Sequence, residues 1–504
     1  METIYQETLN REKYLKGLGY TVVSYWEHDF KEFVDSDPDL REYLSCLEVP
    51  ERLCPRSGFH GGRTNAVRLH YKTQPGERIE YSDFCSMYPW VLKTCKFMMY
   101  EPEIITRDFD DINTYFGFVM CKILPPRGLY HPILPRVSGG KLKFTLCAKC
   151  GDEENQETCL CSDEERALVG VFCTPELHKA VNDLGYRILK IYEIYHFPNT
   201  VQYSPETKSG GLFTEYVNTF LKLKQESSGW PSWCETDEQK QQYIRGYFEH
   251  EGVLLEPDKI QVNPGLRSLA KLCLNSYWGR LAMDDNLTRS KFISQESELL
   301  QMVTDPTIEV QNFNILNERC ALVEYKYARE WIPPSAVNNI YIAAFTTSWA
   351  RLRLYEVLEL VNENVLYFDT DSALYIHRPG DKTPLLGDFL GDLTSELKPG
   401  RYITEFVSGG PKNYAYRQDD GWETCKVKGF TLNYQNSLKI NFESMKNLVT
   451  SPGSEKGITI VNPTSICRDK IKNIVYNKSE VKKYAMVYTK RKLNDDLTTL
   501  PYGY

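Results

Sequence analysis

The order of apolar and polar positions along the chain predicts an α+β protein. Apolar residues recur with a helical period after an Asn-Pro-Gly turn at residues 263–265, again over residues 338–364, and over residues 212–251. A helix around Arg11–Leu18 and a turn at Gly19 are predicted near the start. Short apolar runs between turn residues predict strands, at residues 21–27, 66–72, 78–89, 117–125 and 365–377.

Composition narrows the class of protein. The 504 residues include 60 Lys+Arg and 68 Asp+Glu, and the net charge of −8 argues against a wholly basic nucleic-acid coat. No run approaches the roughly 18 consecutive apolar residues of a membrane span, and the first residues carry charges of both signs, so we expect neither a membrane partner nor a secretory signal. The 15 cysteines then indicate reduced thiols, with one cluster spaced for a metal.

The charge is unevenly distributed along the chain. Residues 398–504 hold 18 Lys+Arg against 10 Asp+Glu, and eight of these basic residues lie between Lys470 and Lys492. The rest of the chain therefore carries a charge of −16. A basic C-terminal region of this kind is expected to face nucleic-acid phosphates.

Two carboxylates stand inside the strand predicted at residues 365–377. On one continuous strand Asp369 and Asp371 would point to the same face, and two like charges in a buried sheet cost too much unless a cation lies between them. The alternative is a strand that ends at Phe368 and is followed by an exposed turn. The apolar run that resumes at Ala373 favours the metal site.

Asp83 closes the strand predicted from Arg78. Taken alone, a carboxylate at this place is more often a simple strand-end residue. Beside Asp369 and Asp371, however, it would complete an oxygen-rich site for two Mg²⁺ ions, with Mn²⁺ as a substitute. Such a site catalyses in-line phosphoryl transfer.

One stripe of the helix predicted after Pro264 carries Arg267, Lys271, Asn275 and Trp278, three or four residues apart. Two cations, an amide and a flat ring fit a nucleoside triphosphate, because the cations bind the phosphates and the base stacks on the ring. A solvated basic face is the alternative for the two cations, but it does not explain Trp278.

Cys147, Cys150, Cys159 and Cys161 lie in an acidic segment that is poor in apolar residues and extends to Glu165. Four thiolates at short spacing suit a tetrahedral Zn²⁺, which would staple a segment without a core of its own. The alternative is a set of free surface thiols, since Cys-x-Cys is less usual than Cys-x-x-Cys as the second half of such a site.

Five short motifs occur in the order typical of family B DNA polymerases, and the chain is similar to that family. They are FHGGR at Phe59–Arg63, DFCSMYP at Asp83–Pro89, KLCLNSYWG at Lys271–Gly279, YFDTDS at Tyr367–Ser372 and GPKNY at Gly410–Tyr414. The likeness is to the protein-primed branch, which includes polymerases of virus-like transposons of the Polinton or Maverick type and their viral relatives. Trp278 and Phe59 depart from the pattern, since the family usually has Tyr at both positions.

The resemblance implies a role for each matching residue. Asp83 and Asp371 would be the principal Mg²⁺ ligands, with Asp369 beside them and the Phe84 carbonyl as a further oxygen. Tyr88 would be the steric gate against a ribose 2′-hydroxyl. Arg267 and Lys271 would bind the triphosphate, and Asn275 and Trp278 would line the nascent base pair. Lys412 and Tyr414 would hold the primer terminus, and Phe59, Gly61 and Gly62 would contact the template. Lys259 is a weaker candidate for the triphosphate.

The resemblance also implies a right-hand polymerase fold with a palm of antiparallel sheet and helices, fingers and a thumb. The expected divisions are an N-terminal remnant (1–58), the first part of the palm (59–145), a cysteine-rich insertion that contacts a terminal protein (146–205), fingers (206–290), the second part of the palm (291–408) and a thumb (409–504). The family's exonuclease lies upstream of FHGGR. Because the 58 residues before that motif lack its Asp-x-Glu pair, we expect a polymerase module without the exonuclease domain.

The sequence thus predicts a template-directed DNA polymerase that transfers dNMP from dNTP to a primer 3′-hydroxyl by a two-metal mechanism and holds one structural Zn²⁺. The expected partners are primer–template DNA, dNTPs and a priming terminal protein, in an intracellular setting such as the nucleus or a viral replication site. The alternative is a catalytically silent DNA-binding remnant of a mobile element. A haloacid-dehalogenase-type phosphohydrolase would explain only the YFDTDS motif.

Overall fold

The computed structural model describes residues 2–46, 52–333, 335, 337–451, 457–469, 474–486 and 488–504. The chain divides into two compact units, Met1–Arg52 and Leu53–Tyr504. Residues 470–473 and 487, which belong to the basic run predicted between Lys470 and Lys492, lie outside the described residues. Within the described ranges, no helix has both the length and the apolar character needed to cross a membrane.

The first unit contains the helices α1 (Glu2–Gly17), α2 (Glu27–Ser36) and α3 (Pro38–Cys46). The helix and the turn at Gly19 agree with the sequence pattern, but the strand predicted at residues 21–27 is wrong, since residues 20–26 have no regular structure. A strand needs a neighbour to satisfy its backbone groups, and the described part of this unit offers none. Trp26 instead packs on Tyr5, with ring centroids 5.1 Å apart.

The second unit mixes helices and strands along its whole length. Its helices are α4 (Met87–Thr94), α5 (Ala148–Glu153), α6 (Asp163–Arg166), α7 (Thr174–Asn182), α8 (Thr214–Glu226), α9 (Asp237–Glu251), α10 (Pro264–Leu281), α11 (Glu296–Thr304), α12 (Ile340–Val361), α13 (Tyr434–Ser437) and α14 (Phe442–Thr450). Its strands are β1 (Thr64–Ala66), β2 (His70–Lys72), β3 (Arg78–Phe84), β4 (Phe97–Met98), β5 (Glu103–Ile105), β6 (Gly117–Leu124), β7 (Arg136–Ser138), β8 (Lys141–Lys143), β9 (Leu168–Cys173), β10 (Arg187–His196), β11 (Thr200–Val201), β12 (Tyr203–Ser204), β13 (Ser209–Gly210), β14 (Arg289–Ile293), β15 (Ile308–Asn317), β16 (Cys320–Tyr327), β17 (Val365–Asp369), β18 (Ser372–His377), β19 (Leu393–Ser395), β20 (Ile403–Gly410), β21 (Asn413–Gln418), β22 (Glu423–Val427), β23 (Ile458–Asp469), β24 (Ile474–Tyr484), β25 (Lys492–Leu493) and β26 (Thr499–Leu500).

The largest sheet in the described residues, which we call the palm sheet, carries the motif residues. Its strands follow the order β1-β17-β18-β3-β20-β21-β22, with β19 paired to β3 and β2 to β20, and the pairings are antiparallel. Side chains alternate between its two faces. Phe368 and Ala373 belong to the core that contains α12, whereas Tyr367 and Leu374 belong to the core that contains α14. The sheet that carries these residues is therefore packed against a hydrophobic core on each of its two faces.

Two of the predicted domain boundaries fall inside sheets. The predicted start of the thumb at residue 409 interrupts β20, which continues the palm sheet through β21 and β22 to Val427. The predicted insertion from residue 146 separates β6 from β9 and β10, although these strands pair with one another. The order of the motifs along the chain does not show which distant segments pair, so these divisions cut across two sheets.

Candidate active site

Residues 365–377 form a β-hairpin, which we call the carboxylate hairpin, and the single strand predicted there is wrong. β17 ends at Asp369 and β18 begins at Ser372, and the N–H of Asp371 donates to the carbonyl of Asp369 (2.6 Å) across the turn. Thr370 takes the left-handed conformation, with φ +62°. The hairpin places both carboxylates half-buried at its tip, where they are less costly to ionise than within the sheet.

Asp83 lies beside Asp371 because β3 pairs with β18. Asp83 is opposite Ser372 in the register, and the N–H of Phe84 donates to the carbonyl of Asp371 (2.8 Å). Burial, and then the charge of Asp371, raises the pKa of Asp83 to about 7. Burial, and then the charge of Asp369, raises the pKa of Asp371 to about 6. Concentrated carboxylate charge of this kind fits a hard divalent cation that prefers oxygen ligands.

Two cavities meet at these carboxylates. The fingers cavity, of about 610 Å³, lies between the palm sheet and the helices α8 and α10. The palm cavity, of about 590 Å³, lies between the carboxylate hairpin and the hairpin of β21 and β22. Asp83, Asp371 and Glu396 line both cavities. Sequence reasoning missed Glu396, because an isolated Glu after a short strand carries no pattern of its own.

The predicted basic stripe of α10 lines the fingers cavity. Arg267, Lys271, Asn275 and Trp278 all contribute to its wall, and the first three are exposed to it. The helix begins as predicted, since the side chain of Asn263 accepts a hydrogen bond from the backbone N–H of residue 266 and Pro264 occupies the first turn. The structure thus brings the whole stripe to the carboxylates.

Tyr88 and Trp278 stack face to face in this cavity. Their ring centroids are 4.5 Å apart and the planes differ by 9°. Tyr88 reaches this position because β3 ends at Phe84, earlier than predicted, and α4 begins at Met87 after Ser86 has taken a left-handed conformation at φ +53°. The stacked pair is a flat apolar wall close to Asp371.

Lys224 supplies a cation to the fingers cavity that sequence reasoning missed. Its Nζ donates to the hydroxyl of Ser86 (3.2 Å), and burial lowers its pKa. In the sequence it belongs to an ordinary charged helical stretch, which gave no sign of burial. Lys259, the weaker candidate from the sequence, is not part of this wall; its Nζ instead contacts Glu256 at 2.7 Å.

Asp369 faces the palm cavity together with the residues of the GPKNY motif. Its Oδ1 accepts a hydrogen bond from Lys412 Nζ (2.7 Å), so this carboxylate has a cationic partner in direct contact. Tyr414 is buried beside it, with its hydroxyl 3.0 Å from that of Tyr81. The structure places Asp369, Lys412 and Tyr414 on one side of Asp83 and Asp371 and the α10 stripe on the other.

The FHGGR motif is held by a buried ion pair between α12 and α7. Arg351 donates to the carbonyls of His60 (2.6 Å) and Gly61 (3.0 Å) and makes two hydrogen bonds to Glu176 (2.8 and 2.6 Å). Gly62 lies against the carboxylate hairpin, because a Cβ there would come within 2.7 Å of Thr370. Phe59 packs against the core that contains α12. The motif is thus fixed next to the tip that carries Asp369 and Asp371.

The four cysteines predicted as zinc ligands converge. The sulfur atoms of Cys147, Cys150, Cys159 and Cys161 all lie within 4.8 Å of one another, and the first three residues are buried. The segment includes the short helices α5 and α6. Four clustered thiols are a ligand set that suits structural Zn²⁺.

Three features define the class of protein as a right-hand polymerase. They are the palm sheet with its carboxylates, the helices α8 and α10 at the fingers cavity, and the lysines that line the palm cavity. The chain belongs to the type B DNA polymerases of the organellar and viral group, whose family model matches residues 47–234 and 255–363, more than half of the chain. A search of the curated proteins found no match.

Solved structures of phi29 DNA polymerase share the fold. Its ternary complex with primer-template DNA and incoming nucleotide substrates matches with a TM-score of 0.51 and 13% identity, covering 90% of this chain and 66% of that chain. Its orthorhombic crystal form matches with a TM-score of 0.50 and 14% identity, covering 85% and 62%. The chain thus spans slightly less than two thirds of phi29 polymerase. Fold and family confirm the predicted α+β polymerase fold and the predicted membership of family B, whereas the protein-primed branch and the use of a protein primer stay predictions.

Proposed function

We propose that the chain is a template-directed DNA polymerase, which transfers dNMP from a dNTP to a primer 3′-hydroxyl at a two-metal site. The observation that carries this proposal is the junction of the fingers cavity and the palm cavity at Asp83 and Asp371. A nucleotide in the first cavity and a strand end in the second would meet at these carboxylates. Positioning of this kind supplies much of the acceleration of phosphoryl transfer.

Residues of the fingers cavity would hold the incoming nucleotide. Arg267, Lys271 and the half-buried Lys224 offer three cations to the triphosphate, which binds most strongly to charge-assisted donors. The Tyr88–Trp278 stack offers a flat wall to the sugar and base, and the Tyr88 ring would exclude a 2′-hydroxyl. Along α10, Asn275 lies between the cations Arg267 and Lys271 and the ring of Trp278.

Residues of the palm cavity would hold the primer and the template. Lys412 and Tyr414 would contact the primer terminus, and Phe59, Gly61 and Gly62 the template strand. Asp83 and Asp371 would hold the Mg²⁺ ions, or Mn²⁺ in their place, with Asp369 and the Phe84 carbonyl beside them. When bound, these ions supply the Lewis acidity that activates the 3′-hydroxyl and neutralises the leaving pyrophosphate.

Further parts of the proposal concern the setting of the reaction. The converging thiols support one structural Zn²⁺ at Cys147, Cys150, Cys159 and Cys161. The resemblance to the protein-primed branch supports a terminal protein as primer, contacted by the cysteine-rich segment. It also supports a role in replicating a mobile element or a virus, in the nucleus or at a viral replication site.

Primer extension with purified protein, Mg²⁺ and dNTPs tests the proposal. We expect the wild type to extend a primer according to the template, and Asp371→Asn to lose at least 10³-fold in rate while it still binds DNA. Asp258→Asn, an exposed carboxylate outside both cavities, is the matched control and should keep full activity. Equal extension by wild type and Asp371→Asn would overturn the assignment, and DNA binding without extension by the wild type would favour the silent remnant.

A further inference from the structure

The last segment of the chain, Tyr488–Tyr504, docks along the edge of the palm sheet. Backbone N–H groups of Leu69 and Thr499 donate to the carbonyls of Leu497 and Val67, each at 2.8 Å. The hydroxyl of Tyr488 donates to the carbonyl of Ala66 (2.5 Å). These contacts involve β1 and the residues that follow it, and β1 pairs directly with β17 of the carboxylate hairpin. We call this segment the C-terminal strap.

One end of the strap covers the four-cysteine cluster. Tyr502 is fully buried and belongs to the same small core as the cysteines, and its carbonyl accepts a hydrogen bond from the N–H of Leu146 (2.8 Å). Gly503 has φ +91°, and a Cβ there would lie 2.4 Å from the Cβ of Cys147. The backbone of the strap is therefore in direct contact with the first cysteine, and only glycine fits at this point.

The strap and the cysteine segment share further polar contacts. The side chain of Gln156, between the second and third cysteines, accepts from the N–H of Leu493 (2.9 Å) and donates to the Tyr502 hydroxyl (3.4 Å). That hydroxyl donates in turn to the carbonyl of Thr489 (3.2 Å). Tyr502 thus connects the cluster to the residue that precedes Lys490.

Lys490 lies next to the carboxylate hairpin. Its Nζ donates to the carbonyl of Thr64 (3.3 Å), and Thr64 is opposite Asp369 in the register of β1 and β17. The charges of Asp369 and Lys412 both act on Lys490, whose pKa burial lowers to about 8. A lysine at this position adds a further basic group beside Lys412, Lys426 and Lys428, which line the palm cavity where the primer terminus would lie.

We propose that a metal ion held by the four cysteines fixes the C-terminal strap, so that the contact of Lys490 with the primer phosphates depends on the occupancy of the cysteine site. The inference rests on the proposed zinc site and on the proposed polymerase function. Loss of the metal would remove the four metal–sulfur bonds that hold these side chains together, because the sulfurs would take up protons and separate. Their separation would displace Leu146 and Cys147, the residues on which Tyr502 and Gly503 rest.

Hydrogen exchange of the full chain, with and without Zn²⁺, tests the coupling. We expect removal of Zn²⁺ by a chelator to raise exchange of amides in residues 488–504 at least tenfold, and re-addition of Zn²⁺ to reverse it. Amides of β17 and β18 serve as the internal control and should change less than twofold. Equal exchange of the strap in both states, in a protein shown to bind one Zn²⁺, overturns the coupling alone. A purified protein that neither contains nor takes up Zn²⁺ overturns the metal site itself.

Variants of the strap provide a second measurement. Tyr502→Ala should release Zn²⁺ to a chelator at least tenfold faster, because it uncovers the cluster, whereas Tyr502→Phe keeps the ring and should stay within twofold. Cys320→Ser, on β16 outside the cluster, is a control and should release Zn²⁺ at the wild-type rate. Equal release by Tyr502→Ala and Tyr502→Phe would contradict the covering role.

The role of Lys490 is read from the salt dependence of primer–template binding. Each lost phosphate contact lowers the slope of log K against log salt by about 0.9. Lys490→Ala should show this decrease with its Zn²⁺ retained, Lys490→Arg should restore the slope, and the zinc-free wild type should resemble Lys490→Ala. An unchanged slope in Lys490→Ala would refute the contact, even if primer extension by the wild type confirms the polymerase.

Discussion

The ion pair that supports the FHGGR motif leads to a quantitative prediction for Glu176→Gln. Glu176 and Arg351 are 1% and 3% exposed, and two hydrogen bonds join them. Gln keeps the volume of Glu176 but leaves the guanidinium without a counter-charge. Removal of one partner from a buried pair costs about 3–5 kcal/mol, and we expect this loss in the free energy of unfolding.

Thermal unfolding measures the effect. The unfolding entropy of a unit the size of Leu53–Tyr504 is roughly 1 kcal/mol/K, so the expected decrease in Tm is about 3–5 °C. The pair Lys179–Glu359 joins the same two helices at the surface, with an N–O distance of 3.0 Å. Glu359→Gln is therefore the matched control, and its cost should stay below about 1 kcal/mol because exposed pairs contribute little.

A double variant separates stability from template binding. Arg351→Met with Glu176→Leu removes both buried charges and should recover most of the lost stability. It also removes the donors to the carbonyls of His60 and Gly61, so the Kd for primer–template DNA should rise several-fold. A Tm of Glu176→Gln equal to that of the control Glu359→Gln would refute the electrostatic reasoning. Wild-type DNA affinity in the double variant would refute the positioning of the motif.

Three further changes have direct readouts. Lys224→Ala removes a charge-assisted contact worth about 1.5–3 kcal/mol, so KM for dNTPs should rise about 10–100-fold with unchanged DNA affinity. Lys259→Ala is the control and should leave KM unchanged. Equal KM values for Lys224→Ala and Lys259→Ala would exclude Lys224 from the triphosphate site. Asp83 has a folded pKa raised to about 7 from 3.8, so in chelator its stabilising contribution is full below pH 4 and is lost as the pH rises to 7. Asp83→Asn should therefore flatten the decrease in Tm between pH 5 and 8, and a parallel decrease in both proteins would contradict the raised pKa. Tyr88→Ala should incorporate ribonucleotides, measured as the ratio of kcat/KM for dNTP and rNTP; an unchanged ratio would remove the gate role.

The sequence predicted which motif residues lie together better than it predicted the architecture around them. The motif carboxylates and the α10 stripe could be found because their chemistry is unusual for their places, charged within apolar runs or aromatic among cations. The turn of the carboxylate hairpin was missed because apolar residues continue on both sides of Thr370, so the pattern of one long strand and of two short ones is the same.

Other features cannot be predicted from the local pattern of apolar and polar residues. The partial burial of Lys224 results from the packing of α8 against α4 and α10, which the helical period of α8 does not specify. The palm sheet continues to Val427 because β20 pairs with β3, more than 300 residues earlier in the chain. Contacts of this separation depend on the whole fold, and a single sequence does not display them.

The docking of the C-terminal strap has a consequence for biosynthesis. The N–H of Leu69 and the carbonyl of Val67 acquire their backbone partners only when residues 497–499, more than 400 residues later in the chain, become available. Contacts of such long range form late and slow folding. A nascent chain on the ribosome therefore carries an unfinished edge of the palm sheet until residues 497–499 have been synthesised.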